Sequence, residues 1–135
     1  MERFKQRFES FEKAFNDLTQ AMGRITEIST DKLVRAGFIQ TYEYTIELAW
    51  KTLKDFLEAE GFPNVASPKK VVRLAYQQGY VENAETWMQA LNDRNLSVHT
   101  YNESMAVDLS SAIIEKYYPI IKLLYYKLKE EASRE

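Results

Sequence analysis

Residues 4–25 read FKQRFESFEKAFNDLTQAMGRI. Within them Phe4, Phe8, Phe11, Phe15, Leu18, Met22 and Ile25 alternate spacings of four and three. At 3.6 residues per turn, that spacing draws one apolar stripe along a helix, close to a heptad seam. Such a stripe is stable only when buried against other helices or against a partner. Core is the commoner fate, so the stretch predicts a helical core element. The polar run STDK at 29–32 supplies a break and a candidate N-cap for a second helix.

The same period continues downstream. Phe38, Tyr42, Ile46, Ala49, Trp50, Leu53, Phe56 and Leu57 mark that second helix, which stops at Gly61 with Pro63 just beyond. Ser67 followed by Pro68 is a helix start, a cap and then an N1 proline, and this short third helix ends near Gly79. A fourth runs from about Asn83, with Ala84, Trp87, Met88 and Leu91 facing inward. A last long helix carries Met105, Leu109, Ile113, Tyr117, Ile120, Leu124 and Leu128, and Pro119 inside it should kink it or split its hydrogen bonding. No hairpin signal, repeat or low-complexity tract interrupts this pattern. Short loops between long amphipathic helices predict an all-α, up-and-down four-helix bundle with an additional short helix, as one domain over residues 1–135.

Composition narrows the chemistry. The chain has 135 residues, 45% hydrophobic and 28% charged, so it is globular. It has no cysteine, which excludes disulfides and thiolate metal sites. With one histidine, an imidazole metal site would have to be shared between two chains; no metal or other cofactor is expected. A formal net charge of -2 argues against a protein that coats a phosphate backbone, while leaving room for a small local RNA site. The charged N-terminus MERFKQRFESFEK is no signal peptide, and Glu115, Lys116 and Lys122 break the apolar stretch AIIEKYYPIIKLLYY, so no membrane span is expected. The expected location is cytoplasmic.

The single histidine lies in LNDRNLSVHTYNES, residues 91–104. Thr100 and Glu103 have capping-box spacing, which places the start of the last helix at Tyr101 and His99 just before its cap. Arg94 and Asn95 end the fourth helix, three and four positions after Leu91, and so interrupt its inward stripe. Burying an unpaired guanidinium is costly, so Arg94 must meet a carboxylate, an anion or a water-filled cleft. Each residue has an ordinary reading: Asp93 offers a surface ion pair, a junction histidine hydrogen-bonds the backbone, and Tyr101 is one of 9 tyrosines. Their combination is less ordinary. An arginine to hold phosphate, an imidazole to move protons and a helix N-terminus converge within a few residues, the parts needed to cleave a phosphodiester without metal.

Arg94-Asn95-Leu-Ser-Val-His99-Thr-Tyr101 matches the R-x4-H-x-Y signature of HepT-like proteins in the HEPN superfamily. The flanking stretches GFIQTYEYTIELAWKTLKDFLE (37–58), SPKKVVRLAYQQGYV (67–81) and WMQALNDRNLSVHTYNE (87–103) resemble the nucleotidyltransferase substrate-binding protein family. The resemblance covers nearly the whole chain. It implies a helical bundle, usually a homodimer, partnered by a minimal nucleotidyltransferase. It also implies one of two roles: a ribonuclease toxin of a toxin–antitoxin pair, or a non-catalytic substrate-binding subunit of the transferase. For the first role, the resemblance makes Arg94 the holder of the scissile phosphate, His99 the general acid/base and Asn95 a polar helper. Tyr101 would be the tyrosine to which the transferase adds AMP. The catalytic cleft would form between two protomers, and the substrate would be RNA.

Three further features stand outside that motif. Glu43 and Glu47 are an i, i+4 pair that could bind a divalent ion or orient the motif arginine, although acids on a helix are usually solvated surface. Lys69, Lys70 and Arg73 cluster at the start of the third helix, where their charge opposes the helix dipole. There is no P-loop and no nucleotidyltransferase GS…D-x-D pattern, so the chain is not expected to be the transferase.

Overall fold

The apolar stripe of residues 4–18 forms the inner face of α1 (Glu2–Met22), where Phe4, Phe8, Phe11, Phe15 and Leu18 are all buried. The computed structural model describes residues 1–63, 65–99 and 102–134, with side chains throughout except for 95–99. Six further α-helices follow among the described residues: α2 (Ile25–Thr30), α3 (Lys32–Ala59), α4 (Pro68–Gln77), α5 (Ala84–His99), α6 (Glu103–Ala112) and α7 (Tyr118–Ala132). A π-helical turn, Ile113–Tyr117, joins α6 to α7. The fold is an all-α helical bundle.

Local chemistry sets most of the boundaries. Asp31, in the polar break, caps α3 by accepting from Leu33 N and Val34 N. Gly61 and Gly79 adopt φ of +100° and +83°. At each, the amide two residues past the cap turns back into the helix, Phe62 N donating to Leu57 O and Tyr80 N to Ala75 O. These are Schellman closures, and they need the left-handed backbone that glycine adopts without strain. Ser67 caps α4 through Lys70 N at 3.3 Å, with Pro68 at its first position.

Side-chain pairs fix the directions of the long helices. Arg7 pairs with Asp55, and Thr45 donates to Ala14 O, so α1 and α3 run antiparallel. Phe8 stacks on Tyr125 and Phe15 on Tyr118, which sets α7 antiparallel to α1. Trp87 shares a pocket lining with Ile120 and Leu124, while Asp93 bonds Tyr117, so α5 runs antiparallel to the α6–α7 arm. This is the expected up-and-down order.

Three expectations need correction. The first stripe does not run unbroken to Ile25. The chain turns at Gly23 and Arg24 into the separate short helix α2, which leaves Ile25 exposed and buries Ile28 instead. The fourth helix does not end at Arg94 and Asn95 but continues to His99. The last arm starts at Glu103 rather than Tyr101, because Asn102 is its cap, accepting from Met105 N at 2.8 Å. Pro119 does split the hydrogen bonding. It has no N–H to give to the carbonyl four residues back, and the preceding turn widens so that Tyr118 N donates to Ile113 O.

Candidate functional site

The motif residues lie along α5 and just beyond it. Arg94 sits on the inward side of α5 with only 17% of its side chain exposed. It donates through Nη1 to Oε1 of Glu47 on α3. A carboxylate is thus one partner of this half-buried guanidinium. Of the i, i+4 acidic pair, Glu47 is the one that pairs with the arginine. Its second oxygen accepts from Trp50 Nε1 at 3.2 Å and lies 3.7 Å from Lys51 Nζ. Glu47 is therefore a hub that ties two cations and an indole to one turn of α3.

The backbone beneath Arg94 is anchored from two sides. On one side, Tyr42 of α3 is fully buried and its hydroxyl donates to Ala90 O at 2.9 Å, one turn before Arg94. On the other, Tyr117 in the π turn donates to Asp93 Oδ2. The widened turn aims Tyr117 at α5, and its ring stacks on Tyr42 at 5.8 Å. Burial pushes both phenols above their ordinary pKa, Tyr117 further through its bond to Asp93 and Tyr42 through the nearby Tyr117 and Asp93 oxygens. Both therefore stay protonated and act as donors. Nothing in the sequence pattern pointed to the Asp93–Tyr117 bond, although π turns recur at functional sites.

A second polar cluster holds the start of α6. Arg35 of α3 is nearly buried and donates to Glu103 Oε1 at 2.8 Å and to Ser29 O at 2.9 Å. Lys32 Nζ lies 4.0 Å from Glu103 Oε2. Glu103, expected to complete a capping box, is engaged across the fold instead. This cluster fixes the chain two residues after Tyr101.

Asn95 and His99 belong to α5 by their backbone, and their side chains fall outside the described residues. Thr100 and Tyr101 also lie outside the described residues. Lys69, Lys70 and Arg73 lie on α4, and all three are exposed. Among the described residues, no group of three His, Asp or Glu is arranged to hold a metal ion. No described helix is long and apolar enough to cross a membrane. An open cleft of about 390 Å³ between α1, α2 and α3 is lined by Asp17, Arg24, Phe38 and Thr41 and contains no motif residue.

Residues 6–130 match the family described as nucleotidyltransferase substrate binding protein like. A Thermus thermophilus protein of solved structure is 31% identical, covering 87% of this chain and 99% of its own, with a TM-score of 0.63. A Haemophilus influenzae protein, described as revealing the fold of a substrate binding domain of a nucleotidyltransferase, superposes with a TM-score of 0.81 at 22% identity. It covers 90% of this chain and 98% of its own. A chain from the toxin-antitoxin MntA-HpeT superposes at 0.77 with 11% identity, covering 96% and 99%. At these last two identities the likeness is one of fold. No curated protein sequence matches.

Proposed function

Because the chain belongs to the nucleotidyltransferase substrate binding protein like family, we propose that it is the helical partner of a nucleotidyltransferase in a two-component module. In that module it acts as a metal-independent endoribonuclease. Arg94 holds the scissile phosphate. The His99 imidazole of one protomer takes the proton of the 2′-hydroxyl as its oxygen attacks phosphorus. The 5′-oxygen leaves with a proton from the second imidazole of a homodimer, giving a cyclic phosphate and a free 5′-hydroxyl. Asn95 assists as a polar neighbour. Transfer of AMP from ATP to the Tyr101 hydroxyl, with release of pyrophosphate, adds a negative charge to the motif and silences it.

The observation that carries this reading is the Arg94–Glu47 pair. A guanidinium is paired with a carboxylate on the inner side of α5, five residues before the only histidine. The likeness in fold to a chain of MntA-HpeT supports the same direction. The family description and the Haemophilus neighbour favour a second reading, a subunit that binds substrate for the transferase without chemistry of its own.

RNA cleavage in EDTA separates the two readings. The chain is purified without its partner, its intact mass checked for modification, and assayed beside His99→Ala. Cleavage that is lost in the variant supports the ribonuclease. A folded, unmodified chain that leaves RNA intact would favour the substrate-binding subunit.

A further inference from the structure

We propose that Glu47 is the positioning residue for Arg94, setting the angle at which the guanidinium meets a phosphate while weakening the grip on that phosphate. The inference rests on the ribonuclease reading and adds to it a residue outside the R-x4-H-x-Y motif. α3 already holds α5 through Tyr42, whose hydroxyl bonds Ala90 O one turn before Arg94. The backbone of the site is also fixed from the other side by Tyr117 on Asp93. A further strut between α3 and α5 adds little to placing the helix. What Glu47 adds is control of the guanidinium itself.

The geometry explains how. The Glu47 carboxylate is not free to follow the arginine. Its Oε2 accepts from Trp50 Nε1 at 3.2 Å, and Trp50 is itself packed in the core. Lys51 Nζ, 3.7 Å from the same oxygen, balances part of its charge. The acceptor is therefore anchored on its far side, and a fork bound to an anchored acceptor has few rotamers left. A phosphate arriving at Arg94 meets a cation whose charge is partly cancelled by that carboxylate, which lowers affinity in the ground state. It also meets a cation already turned to a set angle, which favours the transition state.

These two effects have opposite signs, and a merely structural role has one. Glu47→Gln removes the negative charge and keeps one acceptor oxygen, enough for Arg94 with the bond to Trp50 given up. Glu47→Ala removes both. Two quantities are measured for wild type, both variants and Arg94→Ala. One is kcat and KM on a short single-stranded RNA carrying a fluorophore and a quencher. The other is the Kd of a 2′-O-methyl RNA of the same sequence, which lacks the attacking hydroxyl.

The expected result is a split. Kd in both Glu47 variants is equal to or tighter than wild type, while kcat falls on the order of ten- to a hundredfold in Glu47→Ala and less in Glu47→Gln. Arg94→Ala loses both binding and turnover. Wild-type kcat in Glu47→Ala overturns the proposal, and so does weaker Kd in step with kcat. If wild type and Arg94→Ala neither cleave nor bind RNA differently, the ribonuclease reading itself fails and takes this proposal with it. Loss of the split in an enzyme that depends on Arg94 refutes the Glu47 role alone.

Discussion

Breaking the Arg35–Glu103 cluster from its two ends should give unequal losses of stability. The Arg35 side chain is 8% exposed and that of Glu103 is 40% exposed, so the cation is the buried partner. Removing one member of a buried pair costs about 3–5 kcal/mol because the other is left uncompensated. In Glu103→Ala the arginine keeps only Ser29 O, at 2.9 Å. Water admitted through the exposed Glu103 side should lower the cost to about 2–3 kcal/mol. In Arg35→Met the apolar stem of the side chain is kept and the buried charge is gone. Glu103 is then solvated and still near Lys32, so the loss should be about 1 kcal/mol or less. The double variant should resemble Arg35→Met. Urea unfolding followed by circular dichroism reads the difference as a midpoint shift of about 1–2 M for Glu103→Ala, with slope unchanged. An Arg35→Met variant as unstable as Glu103→Ala would refute the reasoning, since the penalty would then lie in lost contacts and not in a stranded charge.

Stability should also fall in alkali. Burial, then the hydrogen bond to Glu12, pushes Tyr125 up to about 12 from an ordinary 10.0, so the folded chain holds this proton more tightly than the unfolded chain. The contribution is fully present below pH 10 and lost between about pH 10 and 12, as the unfolded form ionises first. Tyr125→Phe should flatten the fall measured by urea midpoint across that range, and an unchanged slope would count against it. Leu53, fully buried in α3, should lose about 2–5 kcal/mol as Leu53→Ala through the cavity it leaves. Leu33→Ala, at a site 83% exposed, should stay within about 0.5 kcal/mol by the same urea midpoints.

Most of the fold was legible because its signals are local. Gly61 and Gly79 close helices by a backbone conformation that no neighbour has to supply, and Ser67-Pro68 opens one in the same way. The α1 stripe was legible through Leu18 and failed at Ile25. Apolar spacing continues across Gly23 and Arg24 although the helix does not, and periodicity carries no record of a change in axis. Ile25 and Ile28 are both apolar, and only the direction of α2 decides that the second is buried.

The site was legible in its residue types and less so in its pairings, for a related reason. Asp93 and Arg94 are adjacent and look like an ion pair. On a helix, however, successive residues point about 100° apart and do not face each other. Asp93 accordingly accepts from Tyr117 and Arg94 donates to Glu47, partners 24 and 47 positions away. Thr100 and Glu103 have the spacing of a capping box, but Asn102 offers a cap of similar strength through Met105 N. A buried guanidinium left unpaired would be costly, and the Glu103 carboxylate meets it. The first residue of that helix is thereby tied to a residue 68 positions upstream. A one-dimensional pattern can name the groups that need partners, and only the packing of α3 against α5 and α6 determines which partners they get.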